Sequence, residues 1–140
     1  MKKYQHILAT IDLFQNKMRA LESALQWTDI FEAKLSILYI VTHRLYNSYA
    51  FLGEMDIEAT IALQAKEKMQ KLGKKYNIDE KHQIIKIGNP RSDVLGIARD
   101  LKVDLVVAGS HHHNVLGMLG STANAIVNNA HCDVLLIKED

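Results

Sequence analysis

Cysteine is almost missing from this chain. Cys132 is the only one, so no intrachain disulfide can close and nothing points to an oxidising compartment. A buried, inert thiol is its expected state. A surplus of one charge is missing too, with 17 Lys and Arg against 16 Asp and Glu. That balance excludes the broad basic field with which a nonspecific nucleic-acid binder holds phosphates, so no nucleic-acid partner is expected. No apolar run approaches the roughly 20 residues of a bilayer-spanning helix, and the opening Met-Lys-Lys-Tyr-Gln leads into a strand rather than a signal-peptide core. A cytoplasmic protein with no membrane partner is the expectation. Internal repeats and low-complexity segments are absent as well.

What is present suffices for one core. At 140 residues and 48% apolar, the chain has the length and the hydrophobic content of a single domain over residues 1–140. His6 to Ile11 is an almost unbroken apolar, β-branched run, the pattern of a strand covered on both faces, and Asp12 closes it. Gln15 or Asn16 is placed to open a helix whose inward positions are Ala20, Leu21, Ala24, Thr28 and Phe31, ending near Ala33. Leu35 to Val41 is the second strand. From Thr42 to Gly53 the pattern is irregular, with Tyr46, Tyr49 and Phe51 among polar residues; local packing of these aromatics outweighs a ligand-stacking role.

The second half continues the alternation. Glu54 to Tyr76 reads as a long helix with Met55, Ala62, Ala65, Met69, Leu72 and Tyr76 on one face, and Lys66, Lys68, Lys71, Lys74 and Lys75 on the solvated one. Gln83 to Ile87 is the third strand. Gly88-Asn89-Pro90 stops it, and Ser92 or a neighbour caps a helix through Leu101 with Val94, Leu95 and Ala98 inward. Leu105 to Ala108 is the fourth strand, broken by Gly109. Thr122 to Ala130 is a helix with Ala123, Ile126, Val127 and Ala130 inward, and Val134 to Ile137 is the fifth strand.

Strict alternation with right-handed crossovers predicts a doubly wound α/β fold: a five-stranded parallel sheet, order 3-2-1-4-5, with helices on both faces. Ligands in such sheets bind beyond the strand C-termini where the order reverses. That rim gathers Asp12, Val41, Gly109, Gly120 and Ser121. The stretch Asp104 to Thr122 is the focus, because a buried strand, a polar loop and a Gly-Ser-Thr helix start together offer unpaired N–H groups and a partial positive charge to an anion.

Two other chemistries are weaker. Three adjacent histidines, His111, His112 and His113, point alternately along an extended loop and lack further ligands, so no native metal site is expected and a solvated or dimer-contact loop is the plainer reading. A Ser121, His112 and Asp12 triad has no nucleophile elbow to fix its geometry; Ser121 serves better as a helix N-cap, and no catalytic residue is assigned. Asp12 is open to two roles, a turn cap or a holder of nucleotide or Mg²⁺, and the cap is the commoner.

The strand opening Ile7-Leu-Ala-Thr-Ile-Asp12, the Gly88-Asn-Pro turn, Asp104-Leu-Val-Val-Ala-Gly109, and Gly120-Ser121 before Asp133-Val-Leu-Leu-Ile137 together resemble the universal stress protein family over essentially the whole chain. The resemblance implies a Rossmann-like fold akin to the adenine nucleotide alpha hydrolases, a role in the stress response and a homodimer. Members that bind ATP carry glycine, two residues, glycine, nine residues, then glycine with Ser or Thr. Here the position three after Gly109 is His112, and Gly120 arrives two residues early. An imidazole there obstructs close backbone approach. The short loop with its histidines resembles the A-type branch, regarded as not binding ATP, and no cofactor is expected. If the chain did take ATP or AMP with Mg²⁺, carry-over of the family's contacts would place it against Thr10, Asp12, Val41, Ala108, Gly109, Gly120, Ser121 and Thr122. The apolar fifth strand is a sheet edge that must be covered. The resemblance implies a homodimer through Val134, Leu135, Leu136 and Ile137, acting on a protein partner that the sequence does not identify.

Overall fold

In the computed structural model, residues 3–42, 57–110 and 120–139 are described. Five strands pair in parallel in the order β3-β2-β1-β4-β5, as the alternation predicts. They are β1 His6–Thr10, β2 Lys34–Thr42, β3 Gln83–Gly88, β4 Leu105–Ser110 and β5 Asp133–Lys138. Among the described residues the helices are α1 Arg19–Phe31, α2 Ile57–Tyr76, α3 Pro90–Asp100 and α4 Ser121–Asn129, with a 3-10 turn at Glu80–His82. β1 lies in the middle, with Leu8 opposite Ser36 on one side and Val106 on the other.

Side chains alternate across the sheet and build two cores. Ile7, Ala9, Ile37, Leu105 and Val107 pack with Ala20, Leu21 and Ala24 of α1 and Ala65 and Met69 of α2. Leu8, Leu38, Ile40, Val106 and Ala108 pack on the other face with Val94, Leu95 and Ala98 of α3 and Ile126 of α4. Helices therefore cover both faces. The five lysines of α2 are exposed, as their spacing implies, and Lys68 reaches over the Phe14 ring, 5.1 Å from its centre.

Several boundaries differ from the sequence reading, each for a local reason. Helix α1 starts at Arg19, not at Gln15 or Asn16, because Asp12 first makes an Asx turn, its Oδ1 accepting the Phe14 N–H at 3.0 Å. Helix α3 is capped by Asn89 rather than Ser92: Asn89 Oδ1 accepts the Arg91 N–H at 2.9 Å, and Pro90 takes the first helical position. Asp93 Oδ2 returns to accept the Asn89 N–H at 2.7 Å. Gly109 does not break β4; it pairs with Ile137, and the strand runs on to Ser110 because β5 continues beside it. Val127 is exposed rather than inward, Cys132 is only partly buried, and Leu101 falls just past the end of α3. The 43–53 segment and the start of the helix expected at Glu54 lie outside the described residues, as do His111, His112 and His113.

Three of the described helices end in a left-handed residue that is not glycine: Glu32, Asn77 and Lys102 have φ of 52°, 58° and 55°. The bonds that close these ends, Ala33 N–H to Thr28 O at 3.0 Å, Ile78 N–H to Gly73 O at 2.8 Å and Val103 N–H to Ala98 O at 2.9 Å, turn the chain back to the sheet.

The opposite end of the sheet from the strand C-termini is tied by polar groups. Asp104 accepts the N–H groups of Gln5 at 2.9 Å and His6 at 3.1 Å, pinning the start of β1 to β4. Beneath it runs a short hydrogen-bonded chain. His6 Nδ1 lies 3.2 Å from the Leu101 carbonyl oxygen, His6 Nε2 lies 2.8 Å from Ser36 Oγ, and Ser36 Oγ lies 3.2 Å from His82 Nδ1. A carbonyl only accepts, so His6 Nδ1 carries the proton, the Ser36 hydroxyl donates to Nε2, and His82 donates to Ser36.

Candidate functional site: the cleft at the strand switch

The switch point between β1 and β4 opens into a cleft of about 210 Å³ beyond their C-terminal ends. Thr10, Ile11 and Asp12 supply one wall as the chain leaves β1. Ala108 and Gly109 of β4 form the floor, Met18 and Leu21 the α1 side, and Pro90, Thr122 and Ile126 bring in the starts of α3 and α4. Distant sequence segments meet here because parallel strands deliver all their exits to one rim.

Of the residues singled out in the sequence, Thr10, Asp12, Ala108, Gly109 and Thr122 line this cleft. Gly120 is the N-cap of α4, with φ −58° and no side chain to cap the helix, and Ser121 is the first helical residue rather than the cap. Val41 is buried in the α1-side core, opposite Ile87. Asp12 keeps its turn-cap bond to the Phe14 N–H while lining the cleft. A second, adjoining hollow shares Thr10, Ile11 and Asp12 and is walled by Phe14, Tyr39 and Thr42. The Phe14 and Tyr39 rings meet edge to face, with centres 5.8 Å apart.

Glu139, which the sequence reading did not single out, also lines the cleft. Its N–H donates to the Ser110 carbonyl at 3.2 Å, extending the ladder by one residue beyond Lys138. Its Oε1 accepts the Ala20 N–H at 2.9 Å, in the first turn of α1. That helix has Met18 at its N-cap position and no side-chain cap of its own, so the carboxylate supplies one from the far end of the chain. Glu139 also lies directly over Gly109: a Cβ there would come within 2.6 Å of Glu139 Cδ. The signal in the sequence was positional. A residue just past β5 must sit on the same rim as one just past β4.

The charged groups of the cleft are thus Asp12 and Glu139, and no lysine, arginine or histidine is among its described lining residues. Two carboxylates with no cation among the described lining residues offer poor electrostatics for a triphosphate. Among the described residues there is no cluster of three or more histidine, cysteine or acidic side chains able to hold a metal ion, and no helix is long and apolar enough to cross a membrane.

The comparisons with known proteins agree with this architecture. The family model described as "Universal stress protein family" matches residues 3–138. Universal stress protein A homolog 2 of Coxiella burnetii is 34% identical over 142 residues, spanning 99% of this chain and 97% of that protein. The structure of the universal stress protein UspA from Lactobacillus plantarum superposes with a TM-score of 0.73 at 24% identity, covering 98% of this chain and 99% of that one. A universal stress protein in complex with cAMP superposes with a TM-score of 0.69 at 18% identity, covering 99% of this chain and 100% of that one. Five parallel strands in this order, with a family match along nearly the whole length, place the chain in the universal stress protein family.

Proposed function

We propose that this chain works as a non-enzymatic, homodimeric, cytoplasmic stress protein that acts through contacts with a protein partner and does not retain ATP. The observation that carries this reading is the charge of the cleft, lined by Asp12 and Glu139 with no described cation. A nucleoside triphosphate brings several negative charges, and even with Mg²⁺ bound it stays negative beside two carboxylates. The sequence adds that the loop meant to wrap phosphates is two residues short and carries His112 in place of its middle glycine. Isothermal titration of nucleotide-stripped protein with Mg-ATP, ADP and AMP is expected to give no saturable heat. Micromolar binding of any of them would sink the reading.

The dimer rests on β5. It pairs with β4 on one side, and Val134, Leu135, Leu136 and Ile137 are only partly buried. An apolar edge of this kind invites another strand, and antiparallel pairing across a twofold axis would satisfy both copies. Sedimentation equilibrium at micromolar concentration should return twice the chain mass of 15.8 kDa. A dominant monomer would count against it.

A second reading, an adenine-nucleotide binder with slow hydrolysis at most, draws on α4. That helix begins without a side-chain cap beside Thr122 on the cleft, a setting that suits one phosphate. A structural neighbour holding cAMP points the same way. The same titration separates the two, and loss of binding in Gly120→Val would then favour the second.

A further inference from the structure

We propose that Glu139 is an intramolecular occupant of the cleft, a carboxylate that holds the anion position at the start of α1 and keeps nucleoside phosphates out. The inference deepens the reading of the cleft as one that does not retain nucleotide, and assigns the exclusion to one side chain.

Three observations converge on it. The Glu139 carboxylate takes an N–H of the first turn of α1, a 13-residue helix whose N-terminal partial positive charge attracts an anion. The same side chain lies against Gly109, so the bare backbone on the cleft floor, where a ligand would make its closest approach, is already covered. Its backbone is held by the bond to Ser110 at the end of the sheet, so the side chain is delivered to the cleft rather than left to find it. A tethered group competes at an effective concentration on the order of millimolar, and a phosphate entering the same space would meet the carboxylate charge within a few ångströms. To bind, a nucleotide must displace Glu139 and leave α1 to find another cap.

The two neutral replacements separate charge from bulk. Glu139→Gln keeps an oxygen able to accept the Ala20 N–H and nearly the same volume, but removes the charge. Glu139→Ala removes both. Calorimetric titration with AMP and with Mg-ATP, on samples whose far-UV circular dichroism and melting show a folded chain, is expected to show AMP binding tighter than in wild type by about tenfold or more in Glu139→Ala, the size of one charge-assisted contact, with a smaller gain in Glu139→Gln. If Glu139→Ala does not fold, Glu139→Gln alone decides the matter by the same comparison. The Ala20 amide resonance reports the contact independently, and it should move on AMP addition in the variants.

Where wild type binds no AMP, folded variants that also bind none overturn the proposal while leaving the non-retaining cleft intact. Wild type that binds in the micromolar range, with tenfold tightening in Glu139→Ala, overturns the non-retaining cleft and keeps Glu139 as the competitor. Wild-type binding unchanged in both variants overturns both.

Discussion

Leu8→Ala is expected to cost about 2–5 kcal/mol and to lower the melting temperature by about 10 °C, measured by urea and thermal unfolding. Leu8 sits on the central strand with no exposed surface, in the core shared with Leu38, Val94, Val106 and Ile126. Neighbouring strands on both sides fix its surroundings, so the space left by three lost carbons cannot close by moving an edge. For a domain whose total stability is of order 5–15 kcal/mol, that is a large share. Val127→Ala on α4 is the matched control. Its side chain is 45% exposed, and the change should stay within about 0.5 kcal/mol. A loss at Leu8 no larger than that at Val127 would contradict the placement of β1 at the centre of the sheet.

The second large effect lies at the other end of the strands. Burial, partly offset by the bond to the Leu101 carbonyl, holds the His6 imidazole below its ordinary range. The group is neutral in the fold and has an unfolded pKa near ~6.5. Because the folded value is the lower one, its contribution is fully present above pH ~6.5 and is lost as pH falls from there through the folded value. The geometry says why. A proton added at His6 Nε2 would face the Ser36 hydroxyl proton, so Ser36 would have to reverse its bond and donate to His82 in the other tautomer, a rearrangement that adds to the cost of charging a buried ring. Acidification from pH 7.5 to 5 should therefore lower the unfolding free energy in wild type, and less in His6→Gln. Ser36→Ala, which strands the nitrogens on both sides, should cost about 1–3 kcal/mol at neutral pH. Equal acid sensitivity in wild type and His6→Gln would place the proton uptake elsewhere.

How much of this was legible depended on whether a feature is local in the chain. The apolar runs at His6 to Ile11, Leu35 to Val41 and Leu105 to Ala108 read correctly as central strands, because burial on both faces leaves a continuous hydrophobic signature. The Asp12 turn was legible for a similar reason: its bond reaches two residues ahead. The start of α1 was not. The group that caps it comes from Glu139, 119 positions away, and nothing near Met18 announces it. Gly109 was misread as a strand end because glycine usually is one, whereas here its missing Cβ makes room for Glu139. Val127 has the right spacing to face inward but sits at the margin of a short helix, where periodicity no longer decides burial. The sequence located the cleft by its rim residues and missed the acid inside it.

The central claim is that this cleft does not retain a nucleotide, and amide chemical shifts test it where it applies. In a ¹H–¹⁵N correlation spectrum of the stripped protein, the amides of Asp12, Gly109, Ala20 and Thr122 surround the cleft. Titration with millimolar Mg-ATP is predicted to leave all four unmoved. Saturable shifts at these four amides, with the far end of the sheet at Asp104 unchanged, would contradict the account.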